Sequence, residues 1–454
     1  MNLNNKISIA SLVLVLTPYL VHAQVPTDPA LAGIPAQVLA KIDPSIQGPE
    51  RALLGHFMTG LRAKNQENYI LITQDGKVHA NKPKLASVVS FAKSLGDGVY
   101  ADSHGNQFVL PLSAPKPNAK PMVQKSAFRP STQSSPRFTF ASFGGFRPLT
   151  PQIDVYVPAF YEGSGPYRQV FSKVPPSDSD AGYSDIAANV YLPSGANGEI
   201  SENPNGVTDT RDSCSIYMGG WGAGSAPDTV DAGFTHDHSS ADPDAWTMIL
   251  GSSRYKSLNP TVGDGSNPPG GVVTTDAIRF NSGQSAFLEF FVAPNGNGGS
   301  QIDVAATGDA YDQTQPSHPD LGTATYTIAL DTGTNSGWNV NGNGVVLKRN
   351  TSFGQQIVPK PAPGQRSTRD NFHTGSFVKN VSWTNCQIGV YNSSGTLHDW
   401  VSTDTNYVPG NYPNDDPPAG SGATYSNIIQ TQYTSGSNSN DPASEVDSII
   451  MLPN

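Results

Sequence analysis

The sequence predicts a mainly β protein: a two-sheet antiparallel β-sandwich of the concanavalin or jelly-roll kind, preceded by a small α+β domain. Only 14% of the 454 residues are charged, whereas the chain contains 45 glycines and 38 prolines. From Phe138 onward, short apolar or alternating runs are separated by Gly, Pro, Asn and Asp, a pattern typical of strands and turns. Because a single hairpin cannot bury its apolar face, two packed sheets are expected.

The first 23 residues have the features of a secretory signal peptide. Lys6 precedes a mainly apolar run of 15 residues, Ile7–Val21, and Ala23 provides a small residue at the expected cleavage point. The run is also shorter than the ~20 residues that a membrane-spanning helix needs. We therefore expect a secreted, extracellular protein that is not inserted in a membrane.

Residues 24–112 predict a small α+β domain. Apolar residues at helical spacing follow Pro49 and again follow Pro83, which predicts one helix over 49–61 and a second over 85–95. Short apolar runs flanked by turn residues predict strands at 69–72, 99–101 and 106–110.

Residues 113–137 predict an extended linker, because they combine five basic residues with repeated Pro and Ser and contain no acidic residue. Residues 1–137 carry a net charge of +7 and residues 138–454 carry −17. The two parts should attract each other, and the acidic part argues against nucleic acid or an anionic membrane as a partner. These features suggest a propeptide joined by a cleavable linker to a mature domain, although a passive tether between permanent domains would look the same.

Residues 138–454 form the predicted sandwich domain. Its strands are expected at residues 153–157, 187–192, 215–218, 246–250, 287–292, 324–330, 345–348 and 378–391. Cys214 and Cys386 are the two cysteines of the chain. In an exported protein a pair of this kind favours a disulfide, and the alternative is two buried free thiols.

The sequence VDAGFTHDH at residues 230–238 gathers the largest number of chemically capable side chains. If it is a strand, alternation turns Val230 and its i+2 neighbours toward the core and turns Asp231 outward, into solvent or a groove. His236 and His238 would share a face, which some metal sites use, but the polar residues that follow favour a solvated strand end. We predict no metal and no cofactor.

Glu289 lies within an apolar strand, Ala-Phe-Leu-Glu-Phe-Phe-Val. A carboxyl group in that setting either faces solvent on an open sheet or has a raised pKa that suits a general acid. Trp221 and Trp338 lie beside glycines or asparagine in predicted loops, where their rings could contact a ligand. Glu289 is therefore a predicted catalytic residue, and Trp221 and Trp338 are the predicted substrate-binding residues.

Four segments together resemble the eqolisin (glutamic) acid peptidases, which are secreted enzymes with a concanavalin-like β-sandwich. The segments are Tyr217–Gly220, Val230–Phe234, Lys348–Gln355 and Phe377–Asn385. That family works with a Gln and a Glu on neighbouring strands. Asp231 stands where the Gln would be, so the resemblance implies that Asp231 is the second predicted catalytic residue. No residue here matches the family's Glu, and Glu289 is paired with Asp231 on physical grounds alone.

The sequence thus predicts a secreted hydrolase made as a zymogen, with an acid endopeptidase that uses a carboxyl pair as the preferred activity. No serine-hydrolase elbow, zinc-peptidase motif or phosphate-binding loop is present. The substrate would be an extracellular polymer, and the chain should be a monomer. A carbohydrate-binding or carbohydrate-active sandwich and a non-catalytic surface protein are the alternatives.

Overall fold

A computed structural model describes residues 28–61, 67–96, 99–103, 107–110, 164–202, 210–225, 227–237, 244–254, 271–357, 375–392, 396–405, 410–412, 429–433 and 443–451. The predicted signal peptide, the linker and the predicted strand at 153–157 lie outside these residues. The helices are α1 Ala36–Leu39, α2 Gly48–Gly60 and 3-10 turns at Pro29–Leu31, Pro83–Val88 and Ser402–Asp404. None of the described helices has the length and apolar character needed to span a bilayer.

The rest of the described chain is dominated by strands. They are β1 Asn68–Ile72, β2 Val78–Ala80, β3 Ser90–Phe91, β4 Lys93–Gly96, β5 Val99–Ala101, β6 Gln107–Val109, β7 Ser164–Phe171, β8 Asp185–Leu192, β9 Ile200–Ser201, β10 Thr210–Trp221, β11 Thr229–Asp237, β12 Ala245–Ser252, β13 Gly271–Asn281, β14 Gln284–Pro294, β15 Ser300–Asp312, β16 Asp320–Gly333, β17 Val346–Ile357, β18 Phe377–Gly389, β19 His398–Asp399, β20 Gly410–Tyr412, β21 Ile429–Tyr433 and β22 Glu445–Ile450. The mainly β prediction is confirmed.

Nineteen of these strands form one hydrogen-bonded sheet, and β4–β6 form a separate three-stranded sheet. The large sheet contains two runs of neighbouring strands. Run 1 has the order β20-β7-β17-β10-β11-β12-β13. Run 2 has the order β2-β1-β16-β15-β14-β8-β18-β22-β21. The runs are joined where β13 pairs with β15, and every pairing is antiparallel except that of β1 with β16.

Each run turns one face toward a common apolar core. On β11 this face carries Val230, Ala232 and Phe234, and on β14 it carries Leu288 and Phe290. Burial of a large apolar side chain stabilises the fold by about 1.5–3 kcal/mol. Because strand side chains alternate, the intervening residues of both runs lie on their outer faces.

The N-terminal residues cover both outer faces. Helix α2, which the sequence predicted, packs Leu54 and Phe57 against Phe291 of run 2. Strand β1 extends run 2 through its parallel pairing with β16. On the opposite side of the molecule, Tyr100 and Phe108 of the β4–β6 sheet pack on the outer face of run 1.

The predicted helix over 85–95 is wrong. A short 3-10 turn ends at Val88, and the chain then forms β3, which pairs with β13. The segment Ser87–Ser90 contains two β-branched valines and two serines, which are poor helix formers. Hydrogen bonding to the backbone of β13 therefore stabilises a strand here, although the apolar residues have helical spacing.

The predicted disulfide is not formed in the described structure, where Cys214 and Cys386 are both buried and are not bonded to each other. Cys214 lies on β10 of run 1 and Cys386 on β18 of run 2, and both side chains belong to the common core. Burial raises the pKa of the Cys214 thiol well above its usual value. The two residues act as small apolar side chains, which was the stated alternative.

Candidate functional site

The outer face of run 1 carries a polar cluster centred on Asp231. Here the "Asp231 face" means Tyr217 and Gly219 on β10, Asp231 on β11, and Lys348 and Asn350 on β17. In the strand register, Gly219 lies between Asp231 on one side and Lys348 on the other. Because Gly219 has no side chain, the carboxylate and the ammonium group meet above it. A Cβ atom at Gly219 would lie 1.9 Å from the Val230 carbonyl oxygen, so this position requires glycine.

Asp231 and Lys348 form an ion pair with 2.7 Å between Oδ1 and Nζ, and both side chains are 0% exposed. Burial raises the pKa of the Asp231 carboxyl, although the neighbouring ammonium group opposes the rise. The Lys348 ammonium also lies 4.5 Å from the centre of the Trp221 ring. A buried carboxyl with a raised pKa beside a fixed positive charge is an arrangement that catalytic sites use for proton transfer.

Tyr217 and Asn350 complete the cluster. The Asn350 amide donates a hydrogen bond to the Tyr217 hydroxyl, and burial raises the pKa of that phenol well above its usual value. The Tyr217 ring lies 5.4 Å from the Lys348 ammonium. These groups provide hydrogen-bond donors next to the ion pair.

The β4–β6 sheet closes this face from solvent. Tyr100, Phe108 and Leu110 pack there against Tyr217 and Ile249. Strand β6 lies against β10 and β17, so that an extended polypeptide crosses the Asp231 face. Burial, together with the negative charge of Asp231, raises the pKa of the Tyr100 hydroxyl.

Asp231 and Glu289 are not brought together. Glu289 lies on β14 of run 2, between the inward-facing residues Leu288 and Phe290, and is therefore on the outer face of that run. Asp231 occupies the outer face of run 1, with the common core between them. The predicted carboxyl pair does not form, because alternation fixes which way each side chain points but not which outer face it reaches.

Trp221 and Trp338 are buried rather than exposed in loops, with 1% and 2% of their surfaces accessible. Trp221 is the last residue of β10 and packs against Phe171. The Trp338 indole donates a 3.0 Å hydrogen bond to Asp228. In the described structure Trp338 supports the loop before β17, whereas Trp221 borders the Asp231 face.

His236 is buried and ion-paired, not solvated. It continues the inward-facing series of Val230 and Phe234, which explains its burial. Its Nδ1 is 3.2 Å from Glu202 and its Nε2 is 3.6 Å from Asp244. Burial disfavours the imidazolium, but the two carboxylates outweigh this effect and raise the pKa of His236 to about 9.

No group of three or more potential ligands with metal-binding geometry occurs within the described residues. His236 and its two carboxylates form a buried ion-paired link. Through Asp244 this link reaches Ser194 and the turn that follows β8. His238 lies outside the described residues.

Sequence reasoning missed Lys348, Tyr217 and Asn350 as members of the site. One signal was present: the alternation in Val-Leu-Lys-Arg-Asn-Thr-Ser places Lys348, Asn350 and Ser352 on one face of a strand. It also missed a buried charge cluster in which Arg168 and Arg349 contact Glu445 at 3.0 and 2.8 Å. That cluster links β7 and β17 of run 1 to β22 of run 2.

Comparison with known proteins does not identify a family. No family model matches the chain, and no curated protein matches it. Among solved structures, the marine PL-14 alginate lyase from Aplysia kurodai is similar over 39% of this chain and 71% of that chain, at 9% identity and a TM-score of 0.17. A likeness at this level carries no argument about fold or function.

Proposed function

We propose that this protein is a secreted, latent hydrolase that cleaves extracellular polypeptides, with Asp231 as its catalytic carboxyl group. The observation that carries the proposal is the fully buried Asp231–Lys348 pair beneath the β4–β6 sheet. A face that already holds an extended polypeptide across β10 and β17 suits a polypeptide substrate. The two runs would act as the two layers of a concanavalin-like sandwich, with β13 and β15 closing one side.

The chemistry follows from the groups on the Asp231 face. After β4–β6 moves away, water reaches the face and the adjacent Lys348 ammonium favours the ionised form of Asp231. The Asp231 carboxylate then accepts a proton from a water molecule as the water oxygen attacks the peptide carbonyl carbon. The Lys348 ammonium and the Tyr217 hydroxyl stabilise the negative charge on the carbonyl oxygen. When the C–N bond breaks, the departing amine takes the proton from Asp231. One carboxyl group and one ammonium group thus replace the carboxyl pair expected from the sequence.

The distribution of charge supports latency. The N-terminal 137 residues are net positive and the remainder is strongly negative, so the two parts attract each other at neutral pH. Protonation of Asp and Glu at acid pH removes the negative partner while Lys and Arg keep their charge. Acid should therefore loosen the cover and expose both the Asp231 face and the linker at 113–137.

A carbohydrate-active protein is the second candidate. Phe171 and Trp221 lie with ring centres 5.4 Å apart beside the Asp231 face. Trp221 is buried, but the Phe171 ring is partly exposed, and an exposed aromatic ring can stack on a sugar. Degradation of a polysaccharide, but not of protein, by the acid-treated chain would favour this candidate.

The test is self-processing and proteolysis by the purified full-length chain at about pH 3–5. Asp231→Asn keeps the size of the side chain and should abolish both activities. Glu289→Gln is the matched control, because Glu289 lies on the opposite outer face and should be dispensable. If the Asp231→Asn variant processes and digests denatured protein as well as the unmodified chain does, the proposal is wrong.

A further inference from the structure

Arg279 lies on the same outer face as Asp231, at the far side of run 1. It is on β13, opposite Thr247 of β12, and its neighbours Ile278 and Phe280 point into the common core. The row of residues that ends at Arg279 continues through Thr247, Thr235 and Ser215. The hydroxyl groups in this row are uncharged, so Arg279 is the residue that gives the row a formal charge.

The covering sheet places a carboxylate beside Arg279. Asp102 immediately follows β5, and its Oδ2 lies 3.9 Å from Nη2 of Arg279. The side chains of Arg279 and Asp102 are 0% and 4% exposed. This ion pair is therefore a buried contact between the N-terminal cover and the body.

The spacing within the cover connects this contact to the proposed active site. Asp102 is two residues after Tyr100, and in an extended chain residues two apart point to the same side. Tyr100 is close enough to Asp231 for the carboxylate charge to affect its pKa. The tripeptide 100–102 thus reaches toward Asp231 at one end and contacts Arg279 at the other.

A buried guanidinium group is costly unless an anion accompanies it. When β5 leaves the face, Asp102 leaves with it, and a ligand in the same place meets the guanidinium group. Arginine binds carboxylates well because its planar fork matches their two oxygens. The group that best replaces Asp102 is thus the carboxylate of an acidic side chain on an extended polypeptide ligand.

We propose that Arg279 is a specificity-determining residue that binds an acidic side chain of the polypeptide substrate, and that Asp102 occupies this position in the latent chain. The inference rests on the proposed function, since it names the substrate class of the same face. The covering segment Tyr100-Ala101-Asp102 would then act as a pseudo-substrate. Preferred substrates would carry Asp or Glu two residues beyond an aromatic residue.

Binding tests this idea separately from cleavage. Limited proteolysis cuts the linker of the full-length secreted chain that carries Asp231→Asn. Fluorescence anisotropy then measures the affinity of the cut protein for a labelled synthetic peptide of residues 93–110. The Asp102→Asn version of the peptide should bind about 30-fold more weakly. With Arg279→Gln in the protein the two peptides should bind alike, and Arg279→Lys should restore part of the difference.

Equal affinity of the two peptides for the protein with Arg279 intact would overturn the inference. It would also be overturned if an oligouronate displaced the labelled peptide and acidic peptides did not. A uniform loss of affinity for both peptides in Arg279→Gln would show a merely structural role. Cleavage of protein substrates that is independent of Arg279 would overturn this inference and leave the proposed function intact. Acid-dependent binding without any cleavage by the unmodified protein would instead remove the proposed function and leave Arg279 as an anchor of the cover.

Discussion

Replacing Lys348 with methionine should destabilise the protein strongly at neutral pH and weakly at acid pH. Methionine fills a similar volume but leaves the Asp231 carboxylate buried without its ion-pair partner at 2.7 Å. Removal of one member of a buried ion pair typically costs about 3–5 kcal/mol of unfolding free energy. Protonation of Asp231 sets an upper limit on this loss of unfolding free energy, because the folded variant can bind a proton at Asp231 instead of keeping a buried charge.

That limit follows from the reference pKa of about 3.9 for Asp and about 1.36 kcal/mol per pH unit. It is about 5 kcal/mol at roughly pH 7.5 and about 1 kcal/mol at roughly pH 4.5. The sign follows from the raised pKa of Asp231 in the folded state. Stability is fully retained below the unfolded pKa and is lost as pH rises toward the folded pKa, so the variant should recover on acidification.

Urea-induced unfolding of the full-length chain, followed by tryptophan fluorescence at both pH values, measures this effect. The double variant Asp231→Asn with Lys348→Met is the control, and it should regain most of the lost stability at neutral pH because neither charge remains. An equal penalty at both pH values, or a double variant as unstable as the single one, would refute the buried ion pair as the cause.

The remaining predictions concern the histidine, the cysteines and the linker. The raised pKa of His236, about 9 against 6.5 unfolded, stabilises the fold fully below about pH 6.5. This contribution, at most about 3 kcal/mol, should be lost as pH rises through 9, and His236→Gln should abolish that pH dependence of the urea midpoint. Cys214 and Cys386 should resist alkylation in the native protein and react fully in denaturant without prior reduction, whereas a linked peptide in non-reducing digests would contradict the structure. Acid treatment should release a fragment that begins near Phe138, as N-terminal sequencing can show, and an uncut chain across the whole range of about pH 2–6 would argue against latency.

The sequence alone predicted the structural features that depend on residues close together in the chain. Strict alternation at Val230, Asp231, Ala232 and Phe234 predicted both the strand and its two faces, and the structure confirms them. Apolar residues at helical spacing after Pro49 likewise predicted α2. The same kind of spacing failed over 85–95, where pairing with β13 competes with helix formation.

The candidate site depended on strand register, which the sequence alone did not reveal. Asp231 and Lys348 meet because two long-range pairings place their strands on either side of Gly219. Glu289 and Asp231 both point outward on their strands, yet they lie on opposite sides of the core. Periodicity shows on which side of its own strand a residue lies. Contacts between strands that are distant in sequence are determined by the pairing and packing of the whole sheet. That packing places Asp231 beside an ammonium group instead of a second carboxylate.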